Sequence, residues 1–331
     1  MARVGIVGAG ATGAYLAARF ARAGIGVTLA ARGTSARQIS REGITIVDGD
    51  GRWRATPTDV IDTRGPAMAG SGAGVAGRGA GVAGRGASEE PLDVVLVCVK
   101  TYDTDVVLPV IERLREPGTA VLSLQNGVRS DDALASHFGP EKVLSGVLYI
   151  GAHRHGPGKI ECTSPPRIFV GPYAAGAGDA GRSLERGAAG RFVNLCHEAG
   201  IEAVSDEAIL TAKWQKFLFN CGLNPLTALT GKRLGTILAD AATRQIFVDL
   251  VSEAAAAGRA AGAPLAEDAH AQAMTTAERM DISSSMAEDL AAGRALELDA
   301  FSGHVLELAQ RYGCEAPVTR SIDGLLRVAV G

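Results

Sequence analysis

The sequence predicts an α/β fold: a doubly wound parallel sheet followed by an all-helical second domain. Short apolar runs alternate with helical stretches from Arg3 to Ile150, the pattern of strands joined by crossover helices. The first of these runs ends directly in a glycine-rich turn at Gly8. Beyond Ser205 strand signals stop and helical periodicity takes over. A chain of 331 residues is long enough for two domains. The expected division is 1–204 and 205–331.

Arg3–Val7 reads as the first strand, Ala11–Ala23 as a helix and Val27–Ala31 as the second strand. Ile44–Val47 and Arg52–Thr56 flank Asp48-Gly49-Asp50-Gly51, a hairpin signal. Asp93–Val99 is a continuous apolar run suited to a strand buried on both faces, and Ala120–Leu124 and Val143–Ile150 repeat it. Two segments interrupt the alternation. Residues 64–88 are almost wholly Gly, Ala and Arg, and contain Ala-Gly-Val-Ala-Gly-Arg-Gly twice in tandem. Without large apolar residues such a stretch cannot offset its own ordering entropy, so a flexible surface insertion is expected. Ala174–Gly190 reads as a smaller insertion of the same kind. In the second domain Asp206–Cys221, Ala239–Gly262, Leu265–Asp281, Ala295–Tyr312 and Val318–Val330 carry helical periodicity.

Composition narrows the function. Apolar residues make up 47% of the chain, and the net charge of −3 gives no reason to expect nucleic acid or an anionic membrane as partner. The two arginines of the tandem repeat are a weak RNA signal. The five cysteines are odd in number and form no Cys-x-x-Cys pair, which argues for reduced thiols. No leader is expected ahead of the glycine motif, and the alanine-rich stretch near 254–263 is broken by charges and Pro264, so a cytoplasmic protein without a membrane span is expected. The six histidines show no metal-ligand grouping, and no metal site is expected.

Gly8-Ala9-Gly10-Ala11-Thr12-Gly13 is a GxGxxG motif that follows a strand and opens a helix. In that setting Gly8 permits the tight turn, Gly10 lets the backbone approach a pyrophosphate, and Gly13 allows close helix–strand packing. The reading is a Rossmann-type dinucleotide site, against the alternative of a purely structural glycine turn. No acid stands at the end of the second strand, where an NAD site places one for the ribose 2′-OH. Arg32 stands there instead, with Thr34, Ser35 and Arg37 behind it, and suits the 2′-phosphate of NADP(H). The alternative is a solvated arginine.

Lys216, Asn220 and Asn224 are spaced i, i+4, i+8, with Lys213 three residues earlier. On a helix the four fall within an arc of about 80°. Leu210, Trp214, Phe217, Leu218 and Cys221 occupy the neighbouring arc as its anchor. Asparagine is a poor mid-helix residue, so two of them in line with a lysine suggest a polar wall facing a ligand rather than a merely solvated face. Pro225 is expected to end or kink the helix at Asn224. Ser285 and Glu297 would lie about 18 Å apart on one continuous helix. A break at Gly293 would let both line one cleft; otherwise the serines are caps and Glu297 an ordinary first-turn acid.

Taken in order, GAGATG at 8–13, Val99-Lys100, Gln125-Asn126-Gly127, Lys216 with Asn220-Cys221 and Asn224-Pro225-Leu226-Thr227-Ala228, Ser285-Met286, and Arg294 with Glu297-Leu298-Asp299 resemble the ketopantoate reductases (2-dehydropantoate 2-reductases) over nearly the whole chain. The resemblance implies reduction of ketopantoate to pantoate with NADPH. It implies Lys216 as proton donor with Glu297 as its partner, which also contacts the cofactor. It implies Asn126, Lys216, Asn220, Asn224 and Ser285 as binders of the small 2-keto acid. Arg32, Lys100, Asn126 and Ala152 would join the glycine motif in holding the cofactor. A homodimer is the assembly considered, although the sequence itself fixes no oligomeric state. Two features depart from the family pattern: the 64–88 insertion, and Leu234-Gly235 where some members carry a further substrate asparagine. Another branched 2-keto acid, an opine-type substrate, or a non-catalytic NADP-binding regulator are the competing readings.

Overall fold

The computed structural model describes residues 2–64, 91–173 and 179–330. The repeat segment expected as an insertion lies, from residue 65 onward, outside the described residues. The chain divides into two compact units, Met1–Gln125 with Ser130–Ile209, and Asn126–Arg129 with Leu210–Gly331. The second unit thus begins later than residue 205 and also takes in the short loop after Gln125.

The first unit opens with β1 (Arg3–Val7), α1 (Ala11–Arg22), β2 (Gly26–Ala31) and α2 (Gly33–Glu42). The hairpin β3 (Ile44–Asp48) and β4 (Gly51–Ala55) follows, then β5 (Asp59–Asp62) and β6 (Val94–Val97). After these come α3 (Thr104–Leu114), β7 (Ala120–Ser123), α4 (Ser130–Phe138), β8 (Val143–Gly156), β9 (Lys159–Pro172), α5 (Asp179–Glu198) and β10 (Glu202–Ser205). All lie in one sheet of order β4-β3-β9-β8-β7-β6-β1-β2-β5, with β10 paired to β9. The run from β5 through β8 is parallel, and its order reverses between β1 and β6. That reversal is where open α/β sheets bind their ligands, at the carboxyl ends of the strands. Strands β1 and β6 are buried along their whole length, which explains their uninterrupted apolar composition.

Two parts of this unit depart from expectation. The long β9 lacks a continuous apolar run because only some of its residues face the core, as Ile160, Cys162, Ile168 and Val170 do. Residues 179–190, expected to belong to a loose insertion, are helical in α5, and only 174–178 of that segment lie outside the described residues. The helix is stabilised by burial: Ala189, Phe192, Leu195 and Cys196 enter the main core of the sheet, which outweighs the poor propensity of its glycines.

The second unit comprises α6 (Ile209–Thr230), α7 (Leu234–Ala239), α8 (Ala241–Ala260), α9 (Ala269–Glu278), α10 (Ser285–Ala291), α11 (Ser302–Tyr312) and α12 (Pro317–Val330). Of the two outcomes expected at Pro225, an end of the helix is not what is found: α6 runs through Pro225 to Thr230. A proline costs one helical hydrogen bond and some crowding. Here burial of Cys221, Leu223, Leu226 and Ala228 on both sides of it holds the helix together. The helix expected to begin near Ala295 starts only at Ser302, after a 3-10 turn at Leu298–Ala300. Among the described residues no helix is long and apolar enough to cross a membrane.

An aromatic cluster fixes the turn after Glu297 against α6. Phe301 stacks on Phe217 with ring centroids 6.0 Å apart and planes within 9°. Trp214 meets the same Phe217 edge-on at 5.3 Å, and His304 approaches it at 6.0 Å. Both phenylalanines are almost fully buried. Phe301→Ala is therefore expected to destabilise the second unit by about 3–5 kcal/mol, read as a lowered denaturation midpoint.

Candidate active site

On the first unit, the glycine motif separates into residues that packing requires and one that it does not. Gly8 has φ +113°, and a Cβ there would meet the backbone of Cys98 and Val99 at 2.8–2.9 Å. A Cβ on Gly13 would strike the carbonyl oxygen of Gly8. Both are needed for β1, α1 and the end of β6 to approach one another. At Gly10, by contrast, a Cβ would meet nothing within 4 Å. Packing does not demand a glycine there, and the open backbone leaves room for a ligand to approach closely. Gly10 is also the N-cap of α1, with no side-chain cap and no acid in the first turn, so the helix itself places no anion at its positive end. These features fit a dinucleotide pyrophosphate at Gly8–Gly13.

Ala9, Ala11 and Thr12 are partly buried along the same turn. Lys100 follows β6 as the N-cap of a 3-10 turn, Thr101–Asp103. Arg32 closes β2 and caps α2, with its Nη2 2.8 Å from Asp103 Oδ1. Ala152 lies on β8 opposite Cys162, beyond the rungs paired to β7, which end at Ser145. These residues all stand beyond the carboxyl ends of the parallel strands, on the side where the strand order reverses.

On the second unit, α6 carries Lys213, Lys216, Asn220 and Asn224 along one side. Asn220 and Asn224 are buried at 8% and 5% exposure, so their face is not a solvated one. Lys216 is half-buried, and its Nζ donates to Asn126 Oδ1 at 3.0 Å. Removal from water, and secondarily the charge of Lys213 one turn earlier, lowers the Lys216 ammonium from the usual lysine range to about 8. A lysine in that position is still charged at neutral pH and holds its proton loosely enough to give it up.

The break expected at Gly293 is present, with φ +62° there. Ser284 caps α10 by accepting from Ala287 N at 3.1 Å, leaving Ser285 exposed as the first helical residue. Glu297 is buried just before the 3-10 turn. Two pairs that no sequence motif announces hold this geometry. Thr227, one turn beyond Asn224, shares a buried 2.7 Å hydrogen bond with Ser284 and so ties α6 to the start of α10. Arg294 Nε donates to the buried carboxylate of Asp289 at 2.7 Å, and Arg294 N donates to Asp289 O at 2.8 Å, closing the turn between Ser285 and Glu297. The Arg294–Asp289 spacing of five residues is the one signal in the sequence that could have pointed to this pair. A small apolar cavity of about 10 Å³ lies on the other side of α6, lined by Cys221, Pro225, Leu250 and Met286 among others. Its lining is apolar except for Ser302 and Thr319, whose hydroxyls are engaged by Asp323 and Glu253, and at that volume it is packing space.

Comparison with known proteins supports one family. The ketopantoate reductase PanE/ApbA family model matches residues 4–175, and the model of its C-terminal domain matches residues 208–329. The chain is 33% identical over 243 residues to 2-dehydropantoate 2-reductase of Caulobacter vibrioides, covering 72% of this chain and 78% of the relative. It is 32% identical over 238 residues to the enzyme of the same name from Halobacterium salinarum, covering 72% and 76%. A PanE/ApbA family ketopantoate reductase structure from Ralstonia eutropha superposes with a TM-score of 0.80 at 26% identity, over 99% of this chain and 98% of that one. A D-mandelate dehydrogenase solved with NADH and anilino(oxo)acetate shares the fold, with a TM-score of 0.82 at 18% identity over 99% and 98% of the two chains.

The Lys213 charge has a measurable consequence. Lys213→Met removes a cation that disfavours protonation of Lys216, so the Lys216 pKa is expected to rise from about 8 toward the ordinary lysine value. A titration of isotope-labelled lysine side chains by NMR, comparing the two proteins, reads the shift directly.

Proposed function

Because the chain belongs to the ketopantoate reductase family, we propose that it reduces 2-dehydropantoate to pantoate with NADPH as hydride donor. When bound, the dinucleotide supplies a hydride to the keto carbon. Gly8–Gly13 hold its pyrophosphate, with Arg32, Lys100, Asn126 and Ala152 as further cofactor residues.

The observation that carries the reading is the buried polar line on α6, with Lys216 tied to Asn126. As the keto carbon is reduced, negative charge develops on the former carbonyl oxygen. The Lys216 ammonium stabilises that charge and transfers its proton to the oxygen, leaving a neutral amine that solvent reprotonates. Asn126 accepts from Nζ and fixes its position, while Glu297 is the carboxylate that keeps the lysine cationic and oriented until transfer. The amides of Asn220 and Asn224 and the Ser285 hydroxyl bind the carboxylate and hydroxyl of the keto acid without adding a competing charge. Thr227 and the Asp289–Arg294 pair act indirectly, by holding Ser285 and Glu297 where they stand. A cytoplasmic location follows from this biosynthetic role.

The test is turnover with 2-dehydropantoate beside a panel of branched 2-keto acids, following NADPH oxidation. We expect 2-dehydropantoate to be the best substrate; a clear preference for another 2-keto acid would keep the chemistry and change the substrate. Lys216→Ala is expected to lower kcat by about 100- to 10,000-fold while NADPH affinity changes little. Near-normal turnover by Lys216→Ala, with Lys213→Ala crippled, would move the proton donor one turn along α6.

A further inference from the structure

The arginine at the end of β2 is already partnered. Arg32 Nη2 lies 2.8 Å from Asp103 Oδ1 as an ion pair, with the two side chains 38% and 21% exposed, but among the described residues this buried Nη2 makes no hydrogen bond. A second carboxylate, Asp62, stands beside it, because Asp62 pairs in register with Ala31 across β5 and β2. The Asp62 carboxylate accepts from Gly33 N at 2.7 Å and Arg64 N at 3.0 Å, and lies 3.7 Å from Arg37 Nη1. Those backbone bonds, with the arginine charges, hold it below the usual carboxylate range. Asp62 is thus engaged in shaping the β2–α2 turn. Asp103 is differently placed: it reaches Arg32 from the turn after β6, across the point where the strand order reverses. In a sheet of this order the adenosine ribose of a dinucleotide lies at the end of β2.

We infer that Asp103 sets how strongly this chain distinguishes NADPH from NADH, by competing with a 2′-phosphate for Arg32 and by accepting a hydrogen bond from a free ribose 2′-OH. The inference rests on the dinucleotide reading of Gly8–Gly13. A 2′-phosphate docking on Arg32 must share or displace the Asp103 ion pair and approach a like charge, so part of the favourable arginine–phosphate interaction is lost. A neutral 2′-OH meets the opposite situation, because a carboxylate beside it is a good acceptor. Arg32 alone would make the site strictly NADPH-selective; Arg32 with Asp103 narrows the preference and leaves NADH usable. The acid that NAD sites carry on β2 is here supplied from a different loop.

The test is binding of NADPH and NADH by calorimetry, with adenosine 2′,5′-bisphosphate and 5′-AMP as probes of the adenosine end alone. It compares the wild-type chain with Asp103→Asn, Asp103→Glu, Arg32→Ala and the Arg32→Ala/Asp103→Asn double variant. Asp103→Asn is expected to tighten NADPH and adenosine 2′,5′-bisphosphate and to weaken NADH, widening the affinity ratio by about tenfold. Asp103→Glu keeps the charge and should keep a ratio near that of the wild type. In the Arg32→Ala background the Asp103 effect on the phosphate-bearing ligands should shrink, since the two groups act on one phosphate. An unchanged NADPH-to-NADH ratio in Asp103→Asn, in a chain that binds both dinucleotides, overturns the inference and leaves the dinucleotide site intact. A wild-type chain that binds neither dinucleotide overturns the site and this inference with it.

Discussion

Holding a lysine ammonium half out of water, on a helix that also carries two buried asparagines, is the constraint around which the second unit is arranged. Burial disfavours the charged form, and Lys213 one turn away disfavours it further. The Asn126 amide oxygen at 3.0 Å compensates in part for that burial. The loop Asn126–Arg129 accordingly belongs to the helical unit, although it leaves the end of a strand. Trp214, Phe217 and Phe301 supply the apolar anchorage that keeps this polar line of α6 fixed. The Thr227–Ser284 hydrogen bond then ties the start of α10 to α6, and the Asp289–Arg294 pair closes the turn that leads to Glu297.

The glycine motif obeys a different constraint. Gly8 and Gly13 are dictated by the closeness of backbone to backbone: a side chain on Gly8 would force β1 from the end of β6, and one on Gly13 would force α1 from β1. At Gly10 nothing among the described residues would meet a side chain's Cβ. The separate roles expected for the three glycines thus have a counterpart in two tightly packed positions and one open one. On the inference drawn above, the Asp103 carboxylate at Arg32 adds a selectivity element that leaves the motif itself unchanged.

Much of the first unit was legible because its strands are short and buried on both faces, so local composition reports them; β1 falls at Arg3–Val7 as read. The hairpin at Asp48–Gly51 was legible from its turn residues. What escaped depends on tertiary burial. The glycine-containing α5 is stabilised by the core beneath it, and α6 continues past Pro225 because flanking residues are buried. In the site, the spacing of Lys216, Asn220 and Asn224 was visible as a helical face, and the break at Gly293 as a glycine stop. Pairings between distant segments were not. Lys216–Asn126, Thr227–Ser284 and Arg32–Asp103 join residues far apart in the chain, and no local pattern encodes them.

The central claim is that Lys216 is a proton donor with its acidity raised by its surroundings. The most direct measurement is the pH dependence of kcat in both directions, reduction of the keto acid and oxidation of the hydroxy acid. Reduction needs the ammonium, so kcat should fall as pH rises through about 8; oxidation needs the neutral amine, so it should rise through the same pH. Both inflections should vanish from the residual activity of Lys216→Met. Profiles that stay flat across that range in both directions, or inflections that survive in Lys216→Met, would contradict the account.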